Sequence, residues 1–256
     1  MPVFLFRDAV VKLDRGSGAP TGFAIERSTL KALAHLSWVP RVLGEGELDG
    51  WCYLVQSRAR GAPLEERLAE LTNAHAAMQQ LGEVVRAVHE SDPHELTPAL
   101  PDFDAFLTRQ ERDIVDIERA RGAREAWLEP LRRFVDDTPR GDTRPVLLHT
   151  ELGPGHALLD DELCLIDWAE TLVGDAEYDF AAVAFFIARG DGALLGAFLD
   201  GYGWSGPRGE ELARRLLRYL LLHRYAPLEW LLERRGVPGA TRFEELVEPW
   251  MGFAPA

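Results

Sequence analysis

Lysine is nearly missing from this chain: of 28 basic residues only Lys12 and Lys31 are lysines, and the rest are arginines. Basic charge as a whole is short, with 28 Lys and Arg against 42 Asp and Glu and a formal net charge of −14. That balance excludes nucleic acid as a partner, because phosphates demand a basic footprint. Cysteine is scarce too. Cys52 and Cys164 both sit in apolar, strand-like runs and read as buried thiols rather than as a disulfide. No apolar run approaches the ~20 residues that span a bilayer. Residues 1–11 also lack the charged start, long apolar stretch and cleavage site of a secretory signal. These absences predict a cytoplasmic protein without a membrane partner.

The 256 residues are 46% hydrophobic and 27% charged, enough for one large domain or two lobes around a proper core. Charge is uneven along them. Residues 1–60 carry 8 basic and 6 acidic side chains, a net of +2, and the remainder carries 20 and 36, a net of −16. A cleft in that acidic remainder favours a cationic small molecule. The bland alternative is a surface charged for solubility.

Val3–Phe6 and Ala9–Leu13 flank Arg7-Asp8 and read as a tight β-hairpin. Residues 14–22 form a Gly/Ser/Pro-rich loop, and Glu26–Leu36 sets Leu30, Leu33 and Ala34 at helical spacing. Val39–Leu48 and Trp51–Val55 read as strands around Asp49-Gly50, and Gln56–Pro63 as a linker where strand patterning stops. Beyond it helices dominate. Asn73–Glu90 aligns Leu81, Val84, Val85 and Val88 on one face. Phe103–Arg121, Arg124–Val135, the apolar Asp179–Ala188, Leu194–Tyr202 and a long Gly209–Glu233 follow. The order predicts a β-rich N-terminal lobe over residues 1–57 and a helical C-terminal lobe over 58–256, with the cleft between them. Gly190-Asp191-Gly192 mimics the start of a dinucleotide fingerprint, but it follows a helix rather than a strand, so the required context fails.

The chemistry concentrates near the middle. Val146–Leu148 reads as a strand, and His149-Thr150-Glu151-Leu152-Gly153-Pro154-Gly155-His156 as the loop it feeds. Ala157–Leu159 and Leu163–Ile166 then form a hairpin around Asp160-Asp161 that ends on Asp167-Trp168-Ala169-Glu170. A carboxylate and imidazoles on one loop, with a second carboxylate returned beside them, suit magnesium-assisted phosphoryl transfer. One acid handles the attacking hydroxyl while the others hold metal on the phosphates. Packing alone gives little reason for Asp167 to follow an apolar strand directly.

Residues 146–180 resemble the catalytic segment of the aminoglycoside phosphotransferase and choline kinase-like superfamily, small-molecule relatives of the protein kinases. That family reads His-Gly-Asp-Leu-His-x-x-Asn, then Ile-Asp-Trp or Ile-Asp-Phe, then Gly-Asp-Pro-x-x-Asp-Leu-Ala. Here Glu151 stands at the catalytic Asp and His156 at the metal-binding Asn, while Ile166-Asp167-Trp168 and Gly174-Asp175…Asp179 keep the spacing. The resemblance implies an α+β, protein kinase-like fold with a small β-rich lobe and a larger helical lobe. It implies that Lys12 contacts nucleotide phosphates, that Glu26 pairs with it, and that the segment around Gln56 and Arg58 is the hinge meeting the purine. His149 takes the place of a loop-holding histidine, with catalytic acid or metal ligand as its other roles, and Asp175 and Asp179 brace the loop and cap the next helix. The family has a strand and a phosphate-covering loop ahead of the hairpin, whereas only two residues precede Val3. The small lobe therefore reads as truncated, which implies either that the natural chain extends upstream of Met1 or that nucleotide is poorly covered.

The expected activity is ATP- or GTP-dependent phosphorylation of a hydroxyl on a small, cationic molecule. Glu151 and His149 are the catalytic candidates, Lys12, Glu26, Gln56 and Arg58 the nucleotide site, and His156 and Asp167 the ligands for Mg2+. An imidazole in place of an amide oxygen shifts preference toward Mn2+. Two rival readings are a nucleotide-binding pseudokinase or regulatory module, motivated by Glu151 and His156, and a metal-dependent hydrolase using His149, Glu151, His156 and Asp167 as ligands.

Overall fold

A computed structural model describes residues 1–15, 22–94, 96, 100–141 and 144–253. Most of the glycine-rich loop read over residues 14–22 lies outside these described residues. Val3–Leu5 (β1) and Ala9–Asp14 (β2) form the expected hairpin, and Val42–Leu48 (β3) and Trp51–Ser57 (β4) complete an antiparallel sheet of order β1-β2-β4-β3. Gly22–Ala32 (α1) leans on it. That helix starts four residues before the expected Glu26, because Phe23 and Ile25 extend its buried face. Antiparallel partners share a sheet face. The pairs Val3↔Lys12 and Leu5↔Val10 therefore put Lys12 on the face with three apolar side chains.

The chain leaves β4 and makes a two-residue strand, Ala62–Pro63 (β5), where patterning alone suggested only linker. Leu64–Arg67 (α2) and Ala74–His89 (α3) follow, the latter capped by Asn73 Oδ1 accepting the Ala76 N–H at 3.1 Å. Phe103–Ala120 (α4) and Glu125–Asp137 (α5) come next and pack on each other. Three short strand pairs then carry the loops of interest. Val146–Leu148 (β6) pairs with Leu172–Gly174 (β9), and Ala157–Leu159 (β7) pairs with both β5 and Leu163–Leu165 (β8). Antiparallel closure of β6 on β9 brings loop 149–156 beside loop 166–171, a meeting that depends on strand pairing over 26 residues of separation.

Glu177–Ala182 (α6) passes into a π-turn at Val183–Ile187, and Gly192–Tyr202 (α7) packs antiparallel to the first long helix of the lobe, α3. The two backbones nearly touch. A Cβ on Gly82 would stand 2.1 Å from the Phe198 carbonyl oxygen, so no larger residue fits there without moving a helix. Glu210–Leu221 (α8), Leu228–Arg235 (α9) and Val247–Met251 (α10) close the core around Trp168, Phe180, Phe198 and Trp250. The single helix expected over 209–233 is two helices: Pro227 cannot continue a hydrogen-bonded turn and instead caps α9. Cys52 and Cys164 are both free and half-buried rather than fully buried, since each lies on the less protected face of its strand. No helix among the described residues is long and apolar enough to cross a membrane.

Candidate active site

Lys12 is the one fully shielded residue of β2, 7% exposed, and Glu26 beneath it is 0% exposed. Its Nζ lies 2.7 and 2.8 Å from the two Glu26 oxygens and 3.0 Å from Asp167 Oδ1. An ammonium in such a place demands carboxylates, and here it has two, one from each lobe. Burial by itself would push the Lys12 pKa down; the charges of Glu26 and Asp167 outweigh it and hold the ammonium above its ordinary value. At Asp167 burial pushes the carboxyl up, but Lys12 and the nearby His156 and His149 hold it below the usual range.

Gln56 and Arg58 line the same cleft, a cavity of about 370 Å³ bounded also by Val10, Leu158 and Ile166. Each polar side chain already carries one contact. The Gln56 amide is buried and donates to Glu26 Oε1 at 3.4 Å, and the Arg58 guanidinium donates to the Phe6 carbonyl at 2.9 Å. Apolar side chains make up much of the rest of the cavity wall, a surface that suits a flat heterocycle.

Loop 149–156 is held from below. Asp179, wholly buried on α6, accepts the His149 N–H at 2.8 Å and the Thr150 N–H at 2.7 Å, and His89 Nε2 donates to it at 3.0 Å. Burial pushes the Asp179 carboxyl up, but the hydrogen bond and charge of His89, followed by His149, bring it below its usual value. Thr150 has φ 69° and Asp167 φ 68°, both in the left-handed region that favours glycine. Each strained residue costs on the order of 1–3 kcal/mol. The Asp179 bonds, the Thr150 hydroxyl on the Glu170 carbonyl (2.9 Å) and His223 Nε2 donating to the Thr150 carbonyl (2.6 Å) offset that cost. The family pattern has glycine where Thr150 stands.

His149 accepts the Glu151 N–H on Nδ1 (3.2 Å) and donates from Nε2 to the Ile166 carbonyl (2.9 Å). Burial lowers its pKa to about 4, so the ring is neutral. Both nitrogens serve the two loops, which is the loop-holding role. With both ring nitrogens engaged, His149 has neither left over for a proton transfer or a metal in this arrangement. Among the described residues no three His, Cys, Asp or Glu side chains converge on a common metal position.

His156 is different. Its Nδ1 meets the Glu151 carbonyl and so carries the proton, leaving the Nε2 lone pair pointing at Asp167 Oδ2, 4.0 Å away. One carboxylate oxygen and one imidazole nitrogen at that spacing fit two corners of a divalent cation that completes its shell with water and phosphate. Glu151 is half-buried. Burial, then Asp167 and Glu170, hold its carboxyl above the usual value against the pull of His156 and Arg224. Glu170 is tied down by Arg224 and by the Tyr225 hydroxyl at 2.9 Å.

Glu65 is the residue with no advance signal. As one of two adjacent glutamates opening a helix it reads as ordinary dipole compensation. In the structure its Oε1 accepts the Gly155 N–H at 2.8 Å, bracing the far arm of the loop.

Residues 3–228 match the phosphotransferase enzyme family. Among solved structures, a macrolide 2'-phosphotransferase type I superimposes with a TM-score of 0.63 at 17% identity, over 100% of this chain and 92% of that one. An aminoglycoside-3'-phosphotransferase of type VIII gives 0.59 at 23% identity, over 86% of this chain and 92% of that one. The aminoglycoside phosphotransferase APH(3'')-Id of Streptomyces rimosus, solved with ADP and streptomycin, gives 0.57 at 17%, over 84% and 87%. These identities speak for the fold, and the family match spans most of the chain. By that match, and with its Lys12–Glu26 pair and the two neighbouring loops in a kinase-like α+β frame, the chain belongs to the phosphotransferase enzyme family.

Proposed function

We propose that this protein transfers the γ-phosphoryl group of ATP to a hydroxyl of a small molecule. The observation that supports this most is the convergence of Lys12, Asp167 and His156 at one cleft, with the Glu151 loop beside them. Structural relatives solved with ADP, or as a ternary complex with streptomycin and ATP, favour ATP over GTP. Lys12, steadied by Glu26, neutralises nucleotide phosphates, and the apolar cavity at the hinge takes the base. Asp167 and His156 Nε2 hold a divalent cation, Mg2+ or Mn2+, which when bound neutralises charge on the phosphates. Glu151 positions the acceptor hydroxyl and receives its proton as the new P–O bond forms and the β–γ bridging bond breaks to release ADP. A carboxyl held above its usual pKa is the better base for that step. The acid-rich helical part, with Glu151, Glu170, Glu65 and Glu66 along this side, supports an acceptor bearing a cationic group. A reaction that consumes ATP supports the cytoplasm as its site.

A nucleotide-binding module without turnover is the competing reading, and it rests on Glu151 and His156 standing where the family has Asp and Asn. Titration calorimetry with ATP in Mg2+ and Mn2+, beside an ADP-release assay, separates the two. Asp167→Ala should abolish metal-dependent ATP binding with the fold intact. Glu151→Gln should keep binding and lose most turnover, about 10²-fold or more. ATP binding in the parent without any ADP release across a panel of acceptors selects the non-catalytic module. Metal-dependent ATP binding unchanged in Asp167→Ala removes Asp167 from the site.

A further inference from the structure

A second cavity, of about 480 Å³, opens along the loop that carries Glu151 and is walled by Pro154, Phe186, Glu65, Arg189 and Arg234. The Phe186 ring lies close enough that a Cβ on Gly153 would stand 3.9 Å from it, so the cavity follows the loop itself. Its two sides differ in sign. On one side Glu65 is 7% exposed, and while its Oε1 is used by the Gly155 N–H, its Oε2 is fully buried and has no partner. A buried carboxylate oxygen left without a donor costs stability unless a ligand supplies one.

On the other side stand two guanidiniums that no carboxylate pairs with among the described residues. Both are exposed on the cavity wall: Arg234 lies over the Trp230 ring at 4.3 Å, and Arg189 pairs with no acid among the described residues, although Glu66 lines the same cavity. In a region with a net charge of −16, two arginines left unneutralised in one cavity run against the local composition. The backbone of one of them is fixed. Arg235 gives its guanidinium to three carbonyls, those of Phe185 (3.1 Å), Arg189 (2.5 Å) and Pro249 (2.6 Å), which fixes the Arg189 backbone in its left-handed turn at φ 54°. Arg189 is close enough to push the Arg235 pKa down further after burial has already lowered it. Two exposed planar guanidiniums on one cavity wall, neither neutralised by an acid, suit a carboxylate.

We propose that this cavity selects the acceptor as a hydroxylated zwitterion, with its ammonium on Glu65 and its carboxylate between Arg189 and Arg234. This rests on the phosphotransferase reading above and narrows its cationic acceptor to one that also carries an anionic group. The Phe186 and Pro154 surfaces cover the apolar part of such a molecule, and its hydroxyl lies along the loop toward Glu151.

The test uses the whole protein and three sets of probes. Serine, threonine and homoserine are the zwitterions, ethanolamine and 3-aminopropanol the cations, and lactate and 3-hydroxybutyrate the anions. Binding is measured by calorimetry without nucleotide, and ADP release with ATP and Mg2+ or Mn2+. At least one zwitterion should bind about tenfold or more tightly than the cation and anion sets, and should stimulate ADP release. Arg189→Ala and Arg234→Gln should each raise its KM by about tenfold while the Kd for ATP stays unchanged, and Glu65→Gln, which can still accept the Gly155 N–H, should do the same. Equal binding of zwitterions and simple cations, or unmoved KM in both arginine variants, overturns the proposal. So does a parent that binds ATP but none of the probes. A parent that binds the zwitterion without nucleotide yet never binds ATP sustains the cavity's selectivity and sinks the kinase reading instead.

Discussion

In the small lobe the key residue is held by charge, and in the helical lobe by backbone hydrogen bonds. The β1 side chains are all exposed and β3 is largely so, leaving Phe23, Leu30, Leu33 and Leu54 as most of the apolar support near Lys12. Lys12 keeps its place through Glu26. The loops of the helical lobe instead sit on a dense core, and a single buried carboxylate, Asp179, fixes two successive N–H groups of loop 149–156. An ion pair tolerates small shifts between its members, whereas a carboxylate bridging adjacent N–H groups does not. The surroundings of Lys12 can therefore adjust, and those of the Glu151 loop cannot.

The largest break in that contrast should come from Asp179→Ala. It strands two buried N–H groups and His89 together, and should cost about 4 kcal/mol in urea unfolding. If stability barely changes, the loop is held by something other than Asp179. Lys12→Met should cost about 3 kcal/mol by leaving Glu26 buried and unpaired. Adding Glu26→Met should recover most of that stability but none of the ATP affinity, which separates holding the lobe from holding the nucleotide. A double variant as unstable as the single one would show that packing around Lys12 matters more than its charge.

Acidification should sharpen the contrast. The His149 pKa of about 4 lies below the ordinary 6.5, so between these values the unfolded chain takes up a proton that the native protein refuses. Stability is whole above pH 6.5 and falls as pH drops toward 4, by about 3 kcal/mol over the full window. The Lys12 pKa is raised instead, so its own contribution persists until strongly alkaline pH. Unfolding midpoints followed by the fluorescence of Trp168, whose ring centroid lies 4.4 Å from that of His149, should fall over this window. His149→Asn should flatten the slope, and an equal slope in that variant would assign it to other groups.

The smallest effect concerns Thr150. Thr150→Ala keeps the left-handed strain and loses the hydroxyl bond to Glu170, while Thr150→Gly loses the bond but relaxes the backbone. Glycine should therefore be the milder change by about 1 kcal/mol, the reverse of the order expected in a helix or strand. If alanine is the milder of the two, the positive φ carries no strain.

Short-range order was readable from the chain: the β1–β2 hairpin from its two-residue turn, α3 from its apolar stripe, and the β7–β8 hairpin from its Asp-Asp turn. Loop 149–156 and Asp167 stood out because polar groups pressed against apolar strands have few structural excuses. The failures have equally local causes. Gly209–Glu233 looked continuous because its leucines keep helical spacing through Pro227, and the π-turn after α6 leaves no mark in a uniformly apolar run. The partners of Glu65, Arg189 and Arg234 are set by tertiary approach between segments some 35 to 170 residues apart, which no periodicity encodes.

The shortage of lysine has a chemical corollary. Side-chain amines number two, and they could hardly be placed more differently: Lys31 stands in solvent beside Glu45, while the Lys12 nitrogen is enclosed by two carboxylates and kept protonated. Acylating reagents need a free amine lone pair. They will consume Lys31 quickly and reach Lys12 only when Asp167 across the cleft and Glu26 within the small lobe both release it, so the slow modification of a single residue times the opening of that enclosure.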